Sequence, residues 1–510
     1  MTIGSRNLRV RTPIVFQPHC RRFPPSQPHF SHTRGPFILI ALIAGFLLIL
    51  PQGEKSVVLP PVEFRTESCA LSMIQTPDGG FVLVGKIYQA GDDYGPDFLW
   101  LVKTDANGEA EWNKTFGYLN GEYGISATSV IQATNGGYAL AGGLIPLTPM
   151  VDGQSFILKT NTYGWPQWFQ DYGMDGASAL IQTVDGGFAL AGPDVNWERD
   201  IRQEDIWLLK TDTTGQFQWS REITYPWYLD HGIRASSLIQ TTDGGYALTG
   251  EPGRDADSDF WLVKITAKGS GQWEQTYGGS GYDRARSVIQ TMDGGFVLTG
   301  DIDPYGADPY DDRSFPTDMC LVKTNATGTA QWNQTFRGFY HNEDPPRGND
   351  GTKTAALVST TDGGFALAGH SWRGYGGILP NIWLIKTDVN GVVQWNQTYG
   401  EPEERLAAVH ALVSTVDGGF ALAGSYNREM WLLKTDANGD IQWNQTYGNP
   451  VGVIMLSPKT WVTPKTNPTP LFEVPITVSR IIVTFLMGGL IVVILIVGII
   501  TLKTRRLWNG

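Results

Sequence analysis

The stretch SLIQTTDGGYALTG at residues 237–250, followed after a short variable segment by DFWLVKITAKGSGQWEQTYG at residues 259–278, decides the fold. It holds four short runs of apolar and β-branched residues, each bounded by turn residues, and such runs read as strands. Between the first two runs stands Asp-Gly-Gly, where Asp caps the turn and Gly supplies positive φ. A second turn of the D-x-x-G type joins the third and fourth runs. Four strands in a fixed order, joined by tight hairpins, form an antiparallel meander.

Outward from this copy, the same pattern fills residues 67–448 seven times. Its first turn falls at Asp78, Asn135, Asp185, Asp243, Asp293, Asp362 and Asp417, each followed by two glycines. The spacings of 50 to 69 residues suit a propeller of four-stranded blades better than a parallel solenoid, whose repeats are usually shorter. Trp recurs in the fourth strand of every copy (Trp112, Trp168, Trp219, Trp273, Trp332, Trp395, Trp443) and in the third strand of five (Trp100, Trp207, Trp261, Trp383, Trp431). Side chains of ~150–250 Å² in register must be covered by a neighbouring sheet, so these residues are expected to pack blade on blade. A Lys follows three positions after the third-strand Trp position, as at Lys103 and Lys434, and a turn carboxylate is its expected partner. The predicted fold is therefore all-β, a seven-bladed propeller of four-stranded antiparallel blades over residues 60–448. The repeats run in one phase, so no strand exchange between the ends is evident, and residues 57–64 are the candidate for an added strand.

These elements, IQTxDGGF and WLLKTDxxGxxQWNxTYG, resemble the propeller repeats common in archaeal and bacterial cell-surface proteins. The segment KTDANGDIQWNQTYG at residues 434–448 also looks like the Trp motif of quinoprotein propellers. That second likeness would imply a quinone site, but those dehydrogenases typically have eight blades and an adjacent Cys pair, which this chain lacks. Its three cysteines, Cys20, Cys69 and Cys320, are expected to leave two unpaired buried thiols in the body.

Residues 1–36 form a basic leader, and residues 37–50 read FILIALIAGFLLIL, the length of a signal-peptide core or signal anchor. Residues 481–502 hold 22 residues without a charge, flanked by Arg480 and by Lys503, Arg505 and Arg506. As a helix this span would be roughly 33 Å long, enough to cross a bilayer. Basic flanks stay inside, so the body is expected outside the cell membrane, with residues 503–510 as a cytoplasmic tail. Residues 449–480, rich in Pro and Thr, read as an extended stalk. The two ends hold ten of the 38 bases and all 50 acids lie between them, which leaves the middle at −22. A body that acidic repels phosphate backbones, so nucleic acid is excluded as a partner.

Function is expected on the face opposite the tight turns, where the loops are long and variable. Trp197, Trp227, Tyr228, Tyr340, Trp372 and Tyr375 are the candidate ligand contacts, since aromatics beside acids suit glycan or protein recognition. Asp255, Asp257 and Asp259 in DADSD alternate as hard oxygen ligands would for Ca²⁺, although Phe260 stands where a Gly is expected. A weaker acidic loop holds Asp303, Asp308, Asp311 and Asp312, and His341, His370 and His410 fall near the loop face of blades six and seven. Five N-x-T sequons, at Asn113, Asn325, Asn333, Asn396 and Asn444, are glycosylation candidates, four of them in the fourth-strand register. No nucleophile elbow, phosphate loop or HExxH motif occurs, and no cofactor is expected. The expected role is a membrane-anchored binding or adhesion module with no enzymatic activity. The alternatives are an extracytoplasmic enzyme acting on glycans or a redox substrate, and a structural surface-layer component.

Overall fold

The structure, a computed structural model, describes residues 66–448 except 90–96, 119–122, 148–152, 197–202, 224–233, 252–258, 280, 282, 304–316, 338–350, 373–381 and 401–406. It also describes residues 453–456, 473–474, 485–487 and 490–492. Seven sheets form in chain order, spanning 66–118, 123–171, 179–223, 234–277, 284–336, 351–399 and 408–447. Within each, four consecutive strands pair antiparallel, as the hairpin turns require. Blade four shows the unit: Arg234–Gln240, Tyr246–Glu251, Phe260–Ile265 and Gly271–Tyr277. First strands lie against the first strands of neighbouring blades and ring the axis, while fourth strands form the periphery. Blade one packs on blade seven, so the ring is closed, as the seven-blade reading predicts.

One latch recurs at all seven interfaces. The fourth-strand Trp of each blade lies on the Gly of the D-x-x-G turn in the next blade: Trp112 on Gly164, Trp168 on Gly215, and so on to Trp443 on Gly108 of blade one. A β-carbon at any of these glycines would stand 2.5–2.9 Å from the indole, and φ there is +76 to +84°. Gly is thus needed twice, for the backbone conformation and for the approach of the ring. The same indole meets the aromatic that opens the second strand of the next blade, with centroids 5.8–6.3 Å apart and planes tilted by 46–71°. Edge-on contacts of this kind are favoured by the ring quadrupole. At four interfaces a Tyr hydroxyl (Tyr172, Tyr277, Tyr399, Tyr447) donates to the carbonyl of the same Gly at 2.5–2.8 Å.

The tight turns are built around a buried lysine. Asp243 Oδ1 accepts from Thr241 Oγ1 at 2.5 Å and from the Gly245 amide at 3.0 Å, while its Oδ2 meets Lys264 Nζ at 2.9 Å. The Thr241 and Lys264 bonds draw the Asp243 carboxyl down to about 2. Six blades repeat this pair, so the recurring lysines answer turn carboxylates as expected. Blade two has Asn135 instead. There Lys159 donates to the Gly136 and Thr160 carbonyls and to Gln167 Oε1, and burial pulls its pKa down to about 8.

Ring closure departs from the sequence reading. Residues 57–64 lie outside the described residues. Instead Val453–Leu456 pairs in parallel with Thr115–Tyr118 on the outer edge of blade one, and Glu473–Val474 pairs with Val453 and Ile454 in turn. Ile454 and Leu456 join the core cluster of Phe116 and Tyr118, so the start of the span expected as a stalk belongs to the ring. A four-residue apolar run outside the repeat carries too weak a pattern to be recognised from sequence. Most of the span expected as a membrane helix lies outside the described residues: of residues 481–502, 485–487 and 490–492 are described, as two short paired strands. No helix among the described residues is long and apolar enough to cross a membrane. Residues 1–50 lie outside the described residues. Cys69 and Cys320 are free thiols, as expected; Cys320 is buried and Cys69 only partly so.

Two predictions follow from the latch and the turn. Gly391→Ala, beneath Trp332 at 2.6 Å, should cost about 3 kcal/mol in urea unfolding. Gly244→Ala, with φ +82° but open space around it, should cost only ~1 kcal/mol. Asn135→Asp should stabilise the ring by about 1–2 kcal/mol at neutral pH by giving Lys159 its counterion. Because the native Lys159 releases its proton before the unfolded lysine does, the unaltered protein should gain stability as pH rises from about 8 toward 10.5. The variant should lose that slope.

Candidate functional site

Each first strand begins, and each second strand ends, on the face away from the Asp-Gly-Gly turns. The loop face around the axis is therefore lined by residues near those ends. In six blades the first strand carries a β-bulge there, at Leu71, Thr128, Ser236, Arg286, Ala355 and His410. An extra residue in the ladder re-aims its side chain. Most of these positions are small or apolar; blades five and seven place Arg and His.

Arg286 pairs with Asp301 at 3.2 Å, and Asp301 is buried. Its other oxygen accepts from the Thr354 amide at 2.5 Å, which ties blade five to blade six. Burial raises the Asp301 carboxyl, and the Arg286 guanidinium opposes that rise. In blade six Lys353 stands directly across from His370, which places both side chains on one sheet face. The Val409 backbone of blade seven, next to His410, acts to raise the His370 pKa. The His370 Nδ1 is buried and has no hydrogen-bond partner among the described residues. Desolvation, then His410, Lys353 and Arg286, pull His370 down to about 3; desolvation and Lys353 pull His410 down to about 4.

A second group lies at blades four and five. Asp283 is buried and accepts from the Gly279 amide at 3.0 Å and the Asp303 amide at 2.8 Å. A β-carbon at Gly278 would stand 2.1 Å from Asp259 Oδ1 and 2.5 Å from Asp283 Oδ2, so glycine lets these two carboxyls approach. Burial, with Asp259 and Asp303 adding to it, pushes Asp283 up to about 6. Among the described residues, no group of three or more His, Cys, Asp or Glu is arranged to hold a metal ion.

Of the ligand contacts expected from sequence, Trp197, Trp227, Tyr228, Tyr340 and Tyr375 lie outside the described residues. Trp372 closes the strand Phe365–Trp372, of which only the backbone is described at that residue. Asp255, Asp257, Asp308, Asp311, Asp312 and His341 also lie outside. Asp259 and Asp303 are described, and both act on the Asp283 carboxyl. His370 and His410 do come together. Sequence reasoning missed Arg286, Asp301, Lys353 and Asp283. An alignment of the seven first strands would have marked Arg286 and His410, since their register otherwise holds small or apolar residues.

The fold and this axial mouth define a seven-bladed β-propeller with a titratable loop face. No known protein family matches the chain, and no curated protein matches it. Solved structures with a similar chain path include the Pan2 WD40 domain of Neurospora crassa, at 11% identity and TM-score 0.44 over 76% of this chain and 94% of that one. Puromycin hydrolase is similar at 12% identity and TM-score 0.45, over 75% of this chain and 54% of that one. A Dyadobacter fermentans protein of unknown function is similar at 13% identity and TM-score 0.40, over 65% and 96%. None of these likenesses bears on what this chain binds.

Removing the Arg286 cation should strand a buried carboxylate. Arg286→Met is expected to lose about 3–5 kcal/mol at pH 8. Because Asp301 then neutralises on acidification, the deficit should shrink at pH 5. Urea unfolding of both proteins at the two pH values checks this.

Proposed function

We propose that the chain is a cell-surface binding propeller that takes an extracellular protein or glycan on its loop face. The asymmetry of the two faces carries this reading. One face consists of short turns whose Asp and Lys are consumed by each other. The other is where the strand ends lead into the long variable segments of the sequence, whose aromatic residues Trp197, Trp227, Tyr228, Tyr340, Trp372 and Tyr375 are the candidate contacts. The hydrophobic spans at 37–50 and 481–502, each with basic flanks, support an anchored chain with its body outside.

The outer strands support the same orientation. Asn333, Asn396 and Asn444 are exposed on fourth strands, where glycans would shield free sheet edges. Asn113 differs, because Val453 pairs with Thr115 and leaves the hydroxyl residue of that sequon 1% exposed. Asn325 uses its Oδ1 to cap its own turn, accepting from the Thr327 and Thr329 amides. An acid group near pH 6, as at Asp283, is the type a glycan-cleaving enzyme uses. Here both of its oxygens are taken by backbone amides, which favours binding over catalysis.

The test is expression of the full chain in its native membrane, labelling with an impermeant reagent, glycan mapping and capture of partners on the loop face. Label should reach the body from outside, with glycans on Asn333, Asn396 and Asn444 and none on Asn113. A body reachable only from the cytosol would overturn the reading.

A further inference from the structure

We infer that the outer cleft between blades two and three is a binding site for one neutral hexose ring, held against Phe217. The cleft lies on the rim and not on the loop face, so this site goes beyond the function proposed above and stands apart from it. The repeat is broken here in two ways. At five interfaces the side chain two residues after the latch Trp also covers the turn glycine of the next blade. Lys114, Arg221, Gln275, Gln334 and Gln397 each bring Cγ to 2.6–3.1 Å from where a β-carbon on that glycine would stand. At the closing interface Gln445 instead donates to Glu109, beside Gly108, at 3.1 Å. Blade two differs. The three atoms nearest the same point on Gly215 all belong to Trp168. Gln170 turns back to its own strand, where its Nε2 donates to the Asp171 carbonyl at 2.7 Å and lies 3.4 Å from Asp171 Oδ1.

The withdrawn Gln170 borders a cavity of about 280 Å³. Leu209, Tyr172 and Met174 give it apolar walls, and the Tyr172 ring is fixed by its hydroxyl bond to the Gly215 carbonyl at 2.8 Å. The second break is Phe217. The residue two after the turn glycine is Ala110, Pro166, Gly271, Ala330, Val393 and Ile441 in the other blades. Blade three alone puts an aromatic there, 56% exposed and lining the same cavity. Asp171 and Gln216 complete the lining. Gln216 commits its backbone amide to Asp212 Oδ1 at 2.9 Å, and its side-chain amide has no hydrogen-bond partner among the described residues.

This combination selects the ligand. The volume falls near the lower end of small-molecule sites, roughly 300–1,000 Å³, and suits one ring rather than a chain. A purely apolar ring would strip water from two amides and a carboxylate without replacing its bonds. An anion would meet the Asp171 carboxylate, and no cation lines the cavity among the described residues. A pyranose matches both halves of the site. Its C–H face covers the exposed Phe217 ring, and its hydroxyls, each donor and acceptor, meet Gln170, Gln216 and Asp171.

The experiment is titration of the full chain, held in a detergent without a sugar headgroup, with the methyl glycosides of glucose, galactose and mannose, followed by ligand-observed NMR. At least one should bind with Kd on the order of 1 mM, and added salt should leave that affinity unchanged. Phe217→Ala should weaken it about tenfold, and Phe217→Tyr, which keeps the ring, should not. Phe217 is exposed, so an unchanged urea midpoint should show that both variants fold. A trisaccharide ending in the preferred hexose separates sources: equal or tighter binding points to the end of a glycan, exclusion to a free sugar. No hexoside binding, binding unchanged in Phe217→Ala, or tetramethylammonium bound more tightly than every hexoside would overturn the inference. A chain that captures its partner on the loop face yet binds no hexoside at the rim would retain the proposed function and lose only this site.

Discussion

The ring depends on one contact, an indole laid across a glycine that the next blade supplies. Each blade is a small sheet with two apolar faces, and neither face can meet water without exposing most of its core. The Trp–Gly contact solves this seven times with one geometry. It also sets the direction of stacking, because the Trp is on the fourth strand and its Gly is in the turn before the fourth strand of the following blade. Closure then follows without special parts. Trp443 finds Gly108 and Phe81 in the first blade as Trp395 finds Gly439 and Phe420 in the seventh.

The turn lysines answer a different problem. A tight hairpin at the axis end of each blade leaves backbone carbonyls that must be satisfied away from water. The lysine stem is apolar enough to be buried, and its ammonium serves the Thr carbonyl, the turn Asp and a polar residue of the fourth strand at once. Blade two shows what the Asp contributes, since its absence leaves Lys159 nearly as well bonded but without a balancing charge. This face is therefore closed chemically. Its charges are spent on the fold.

The loop face is where the repeat is broken. Arg286 and His410 stand at first-strand bulges where four other blades carry Leu71, Thr128, Ser236 and Ala355, and Arg286 brings a buried carboxylate partner, Asp301, with it. Departures from a repeat that stabilises nothing further are the places where a ligand has a claim. Val453–Leu456 departs in another sense. It covers the outer edge of blade one and so makes one blade edge unlike the other six.

Much of the architecture was legible because the repeat states its own constraints. Asp-Gly-Gly marks the hairpin, the spacing of Trp and Lys marks the strands, and seven copies count the blades. The candidate site was legible only in part. His370 and His410 were placed near one another by blade counting, but Asp283, Asp301 and Lys353 carry no local signal, since each matters through a residue far along the chain. The fate of residues 453–456 was likewise hidden, because four apolar residues specify a strand only when an unpaired edge lies within reach. By itself the amino-acid sequence determined the blade, its turns and the number of copies, all set by interactions within about 50 residues. Tertiary structure alone decided which charges meet at the axis and which edge is covered, because those contacts arise only once the first and last blades have closed the circle.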